Sequence, residues 1–171
     1  MAVKQVILLL LTAIVVGLAV NLVSHNRIDF IGGYRDLSGG DGPIIPPDAE
    51  SGDPPFIDVN LAQFEYSSGT SLFIDATLPE EYECGTIPGS INIPFEQLPD
   101  DLEVYFDSVL HGVPKDYPLI VFCTGEECDL SLHLARNLRG FGYTTVSIFF
   151  GGAREWERFG LEIERKKPCG Q

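Results

Sequence analysis

The sequence predicts one α/β domain around a mainly parallel sheet, set behind an apolar N-terminal helix and a spacer. Three observations predict it. Short apolar runs alternate with helix-length amphipathic runs from about residue 56 onward, the pattern of strands joined by helical crossovers. The run Pro118-Leu119-Ile120-Val121-Phe122 is nearly all apolar, as expected of a strand covered on both faces. Residues 5–26 contain no Asp, Glu, Lys or Arg, and the stretch 6–23 is broken only by Thr12, Gly17 and Asn21.

That first stretch would reach about 27 Å as a helix, roughly one hydrocarbon thickness. It reads as a single transmembrane anchor over residues 1–26. The alternative is a cleaved export signal, since Lys4 gives a basic start and Gly17-Leu18-Ala19 a small-x-small spacing. Apolar residues continue past Ala19, which favours the anchor. Lys4 on one side and Arg27 and Arg35 on the other leave the positive-inside count undecided. The very short N-terminal tail resembles an export signal and places the domain on the extracytoplasmic, periplasmic side. Residues 27–55 read as a linker, because glycines and prolines crowd residues 32–55 and resist regular structure. The Ile44-Ile45 pair is the one local docking candidate within it.

The folded domain is expected over residues 56–165. Asn60 would cap a short helix carrying Leu61 and Phe64. Residues 71–75 read as a buried strand, residues 79–82 as a helical turn opened by Pro79, and residues 91–93 as a second strand ended by Pro94. Leu102, Tyr105, Phe106 and Val109 fall at helical spacing. The apolar strand 118–122 follows, then a helix over 129–138 with Leu130, Leu134 and Leu138 on one face, a strand over 144–150 and a last helix over 153–159. Residues 166–171 form a basic tail. The 171 residues suffice for this domain without disulfide staples.

Charge narrows the partners. The formal net charge is −14, and residues 36–114 hold no Lys or Arg at all. Nucleic acid and anionic headgroups both need clustered cations, so neither is an expected ligand of the domain. The membrane enters only through the N-terminal helix. No cofactor is expected. A metal held by Cys123 and Cys128 with His111 or His133 is poorly supported, because neither histidine has a recognisable zinc-ligand spacing.

Cys123 is the residue that points to chemistry. It directly follows the apolar strand and precedes Thr124, Gly125, Glu126, Glu127 and Cys128 before the next helix. Ligands of open α/β sheets bind beyond the carboxyl ends of strands, where a following helix aims its N–H groups and positive dipole end. A thiol there is biased toward thiolate, its reactive form. A buried structural cysteine is the plainer reading of the same position.

The surrounding blocks decide between them. Phe73-Ile74-Asp75-Ala76-Thr77, Pro79-Glu80-Glu81-Tyr82 and 85–94 (GTIPGSINIP) lead to Ile120-Val121-Phe122-Cys123. Gly142-Tyr143, Val146, Gly151-Gly152-Ala153-Arg154-Glu155-Trp156 and Gly160 close the chain. In this order they resemble the rhodanese-like domain family, with its Asp-containing strand, its "GHIPGAINIP" stretch, its cysteine strand and its closing "GGxxxW". The resemblance implies a three-layer α/β/α fold and a sulfurtransferase. Cys123 would be the catalytic residue, taking a sulfur atom as a persulfide and passing it to a thiol acceptor. The amides of Thr124, Gly125, Glu126, Glu127 and Cys128 would cradle the persulfide. The partner would be a small sulfur donor or a protein thiol or persulfide.

The departures are specific. Thr77 stands where the family often has Arg, and Thr86 where it has His. The loop carries Glu126, Glu127 and Asp129 and no cation, which opposes thiolate formation, repels thiosulfate and favours a neutral or protein-bound donor. Asp129 also suits a helix cap. A Cys-based phosphatase would need an Arg in this loop. Cys128 could close a disulfide with Cys123 or serve as its resolving thiol. Two further readings therefore stand beside the sulfurtransferase, a thiol–disulfide redox protein using Cys123 and Cys128 and a non-catalytic binding module at the membrane. Cys84 reads as a packing residue, Cys169 as an incidental tail thiol, and His133 as partly packed.

Overall fold

The structure is a computed structural model that describes residues 2–23 and 42–168. The spacer residues 24–41 and Cys169 lie outside the described residues. The chain divides into a unit of residues 1–36 and a unit of residues 37–171.

The first unit is helix α1, Ala2–Val23. Its described apolar side chains, among them Val6, Ile7, Leu9, Leu10, Leu11 and Ile14, are exposed. Among the described residues, no helix is long and apolar enough to cross a membrane.

The second unit is a three-layer domain. Four strands run in the order β2-β1-β3-β4: β1 is Leu72–Asp75, β2 Ile91–Asn92, β3 Leu119–Phe122 and β4 Val146–Phe149. All pair in parallel, with Asp75 opposite Asn92 on one side and Phe122 on the other. The inner pair β1 and β3 reads as the apolar runs of the sequence because both sheet faces are covered. Side chains alternate between them, as a pleated strand requires. Ile74, Val121 and Ile148 face one cluster with Phe106, Leu134 and Leu138. Phe73, Ile120, Phe122 and Phe149 face another with Ala62 and Trp156. Burying each such side chain contributes about 1.5–3 kcal/mol. The first layer comprises α4 (Leu102–Val109) and α5 (Leu130–Gly140), and the opposite layer α2 (Val59–Ser68) and α6 (Gly152–Arg158). The short helix α3 (Pro79–Cys84) connects β1 to β2.

Several local expectations change. The cap of α2 is Asp58, whose Oδ1 accepts from the Leu61 amide at 2.8 Å, and Asn60 lies inside the helix. The stretch expected as spacer is docked from Ile44, 4% exposed and part of the core, while Ile45 points outward. Asp53 holds Arg136 of α5 through a two-point contact at 2.6 and 2.9 Å. This pairing keeps the Asp53 carboxyl below the usual carboxylate range. Residues 55–57 then bond to Ile148 and cover the outer edge of β4. At the other end, Thr86 and Glu164 exchange backbone hydrogen bonds, and the amides of Lys166 and Lys167 both donate to the Glu83 carbonyl. The start of the expected tail is thus tied to α3.

Candidate active site

Cys123 leaves β3 at the carboxyl end of the sheet and is 0% exposed. Two elements fix its main chain. The β1 neighbour takes the preceding residue, the Ala76 amide donating to the Phe122 carbonyl at 2.9 Å. The start of α6 takes the next two, Ala153 N–H donating to the Cys123 carbonyl and Arg154 N–H to the Thr124 carbonyl, both at 3.0 Å. That docking explains the glycine pair. Gly152 has φ +59°, and a Cβ there would lie 2.1 Å from the Cys123 carbonyl oxygen. Trp156, one turn on, anchors α6 by burying its ring against Phe73 and Phe149 and donating Nε1–H to the Glu162 carbonyl at 2.9 Å.

The loop itself turns back at Gly125, whose carbonyl accepts from the Cys128 amide at 2.9 Å. This brings the two sulfurs together, and Cys123 and Cys128 are joined as a disulfide with Cα atoms 6.3 Å apart. Cys84 is disulfide-bonded as well, not only a packing residue. Around Cys123 Sγ stand the Cys128 carbonyl oxygen at 2.8 Å, the Gly125 carbonyl oxygen at 3.9 Å and the buried Ser131 Oγ at 3.6 Å. In this oxidised loop two carbonyls face the sulfur, and the Cys128 amide of the expected cradle is already committed to Gly125.

The loop carboxylates have partners that sequence reading missed. Arg158 of α6 lies 3.3 Å from Glu126, whose side chain is only 12% exposed. Arg154 lies 3.8 Å from Glu127, in an exposed and weaker pair. Asp129 makes no side-chain cap on α5 and sits instead 3.4 Å from His133 Nε2. His133 stacks on Phe95, the packed role expected of it. Sequence counting saw three acids and no cation in the loop. The cations arrive four residues apart on another helix, a spacing that marks one face but names no partner. Burial, and then the nearby Glu126 charge, raise the Glu155 carboxyl above its usual range.

Below the loop, Asp75 ends β1 at 1% exposure, and among the described residues its carboxylate is held by hydroxyl and amide donors rather than by a cation. Its Oδ1 accepts from the Thr77 amide at 3.0 Å and the Thr77 hydroxyl at 2.6 Å. Its Oδ2 accepts from the Thr86 hydroxyl at 2.6 Å, which also contacts Ser90 Oγ at 2.8 Å. Thr77 and Thr86 therefore act together on one carboxylate. Burial raises the Asp75 carboxyl pKa, and the hydroxyl and amide donors only partly offset it.

A cavity of about 350 Å³ opens over the loop, lined by Leu78, Glu81, Glu96, Thr124, Glu127, Cys128, Asp129, Leu130 and Arg154. A second, of about 270 Å³, shares Glu81, Thr124 and Arg154 with it. Cys128 is on the wall of the first, and Cys123 is on neither. Among the described residues, no group of three or more His, Cys, Asp or Glu side chains could hold a metal ion.

The family described as Rhodanese-like domain matches residues 51–159. A human thiosulfate:glutathione sulfurtransferase is 35% identical over 97 residues, covering 53% of this chain and 82% of that protein. The HTH-type transcriptional regulator Rv0324 of Mycobacterium tuberculosis is 32% identical over 103 residues, which is 60% of this chain and 42% of that relative, so the match spans less than half of its length. Among solved structures, the human single-domain sulfurtransferase TSTD1 superposes with a TM-score of 0.52 at 25% identity, covering 61% of this chain and 96% of that one.

Proposed function

The chain belongs to the rhodanese-like domain family, and from that premise we propose that it is a sulfurtransferase carrying sulfur as a persulfide on Cys123. The observation that carries the reading is the placement of Cys123. It ends a central strand, beneath a loop whose first two carbonyls are pinned by α6 amides. In the reduced enzyme the Cys123 thiolate attacks the sulfane atom of a donor. The bond between that atom and the rest of the donor breaks, the donor residue leaves with the electron pair, and Cys123 Sγ gains one sulfur. A thiol acceptor then takes the terminal sulfur and returns Cys123 as thiolate. Ser131 is placed to donate a hydrogen bond to Sγ. The amides of residues 124–128 would serve the persulfide once reduction frees the loop.

Arg154 and Arg158 offset two of the loop carboxylates. Glu81, Glu96 and Asp129 still border the cavity, so the donor class we favour is neutral or protein-bound rather than thiosulfate. The sulfurtransferase names among its relatives support the reaction class. The test is transfer of sulfur from polysulfide to a thiol by the reduced chain, with Cys123→Ala alongside. Loss of transfer in the variant supports the reading, and unchanged transfer refutes it.

The Cys123–Cys128 disulfide favours a second reading, a thiol–disulfide redox protein, for which reversible opening without any sulfur uptake would be the signature. We also propose that α1 anchors the chain with its domain on the extracytoplasmic side. A helix that is apolar all round has no polar face to present to water. The disulfides fit an oxidising compartment.

A further inference from the structure

We propose that Cys128 discharges the Cys123 persulfide from within the chain, expelling the transferred sulfur as hydrosulfide and leaving the Cys123–Cys128 disulfide, which a dithiol reductant then reopens by attack on the Cys128 sulfur. The inference rests on the persulfide reading above and merges it with the redox one into a single cycle.

The discharge step needs only the two cysteines and the bound sulfur. The deprotonated persulfide on Cys123 meets the Cys128 thiol. The Cys128 sulfur bonds to Cys123 Sγ, the bond from Sγ to the terminal sulfur breaks, and that sulfur leaves as hydrosulfide carrying the thiol proton. The Cys128 sulfur is oxidised, the departing sulfur is reduced, and Cys123 Sγ keeps its oxidation level. The dithiol reductant then supplies two electrons, becomes a disulfide itself, and restores both cysteines.

Three features point this way. The turn closed by the Cys128 amide on the Gly125 carbonyl already brings the two sulfurs into bonding contact, with a Cα separation inside the ordinary disulfide range. Next, the loop turns the Gly125 and Cys128 carbonyls toward Cys123 Sγ. While the turn is kept, the Cys128 amide is committed to the Gly125 carbonyl and is withdrawn from an anionic persulfide, whereas a neutral disulfide needs no such donor. Finally, exposure is unequal. Cys128 borders the 350 Å³ cavity, and Cys123 is fully buried. An incoming thiolate reaches the Cys128 sulfur and expels Cys123 as the leaving thiolate, with the Ser131 hydroxyl 3.6 Å away to receive its charge.

The experiment uses the full chain in detergent, reduced, and the Cys128→Ser and Cys128→Ala variants. Each is exposed to polysulfide, desalted rapidly, and followed by intact mass and by a hydrosulfide assay. The expected result is that both variants hold one added sulfur. The parent loses it as one hydrosulfide per chain appears, ending two hydrogens lighter than the reduced form. A parent that keeps its added sulfur as long as the variants do would overturn the proposal, as would equal hydrosulfide release from all three. If no form takes up sulfur, the persulfide reading itself fails and this one with it. In a second arm, a monothiol added to the oxidised parent should be trapped on Cys128. Trapping on Cys123 would contradict the assigned order of attack.

Discussion

Asp75 is buried among hydroxyl and amide donors, and its consequence for stability has a definite sign. Burial raises its folded pKa above the unfolded value near 4. The folded chain then binds that proton more tightly than the unfolded chain, so stability falls as pH rises from about 4 through the folded pKa. Asp75→Asn keeps an acceptor for Thr77 and can donate to Thr86, whose proton turns to Ser90. Its stability should depend less on pH over that window than the parent's, measured by urea unfolding across the range. Equal slopes would contradict the account. Gly152 gives a second residue-scale prediction. Gly152→Ala places a side chain at φ +59° against the Cys123 carbonyl. It should cost at least about 1–3 kcal/mol and lower sulfur transfer. An unchanged melting temperature would show that α6 does not need this close approach. The importance of the Gly151-Gly152 pair was legible in the sequence. Its reason was not, because the partner carbonyl lies some thirty residues earlier in the chain.

Strands and helices were legible wherever one periodicity dominated. The all-apolar run of β3 and the Leu130/Leu134/Leu138 spacing of α5 placed their elements to within a residue or two. Ends decided by a single side-chain bond were not legible. Asp58 rather than Asn60 caps α2, and Asp129 leaves α5 uncapped to face His133. Element-scale electrostatics were likewise hidden, since α6 supplies the arginines that sit against Glu126 and Glu127. Arg158→Gln would leave Glu126, whose side chain is mostly buried, without its cation. It should raise the Cys123 thiol pKa in the reduced chain and slow sulfur uptake near neutral pH by up to about fivefold. A thiol-alkylation pH profile reads the first effect directly, and an unshifted profile would mean that Arg158 is only a surface charge.

At the scale of the whole molecule, an acidic domain and an apolar helix share one chain of net charge −14. The spacer was the least legible region. Its glycines and prolines forbid regular elements, yet Ile44 and Asp53 still dock by side-chain burial and an ion pair, neither of which needs one. If α1 is an anchor, the full chain should stay with membranes through carbonate washing, and removal of residues 1–26 should release it. Release of the intact chain by carbonate would refute the anchor. The central claim concerns Cys123, and intact mass tests it most directly. The reduced Cys128→Ser chain is exposed to polysulfide and compared with a chain carrying Cys123→Ala as well. The account predicts one added sulfur atom, removed by cyanide, in the first and none in the second. Equal uptake in both, or none in either, would contradict a persulfide on Cys123.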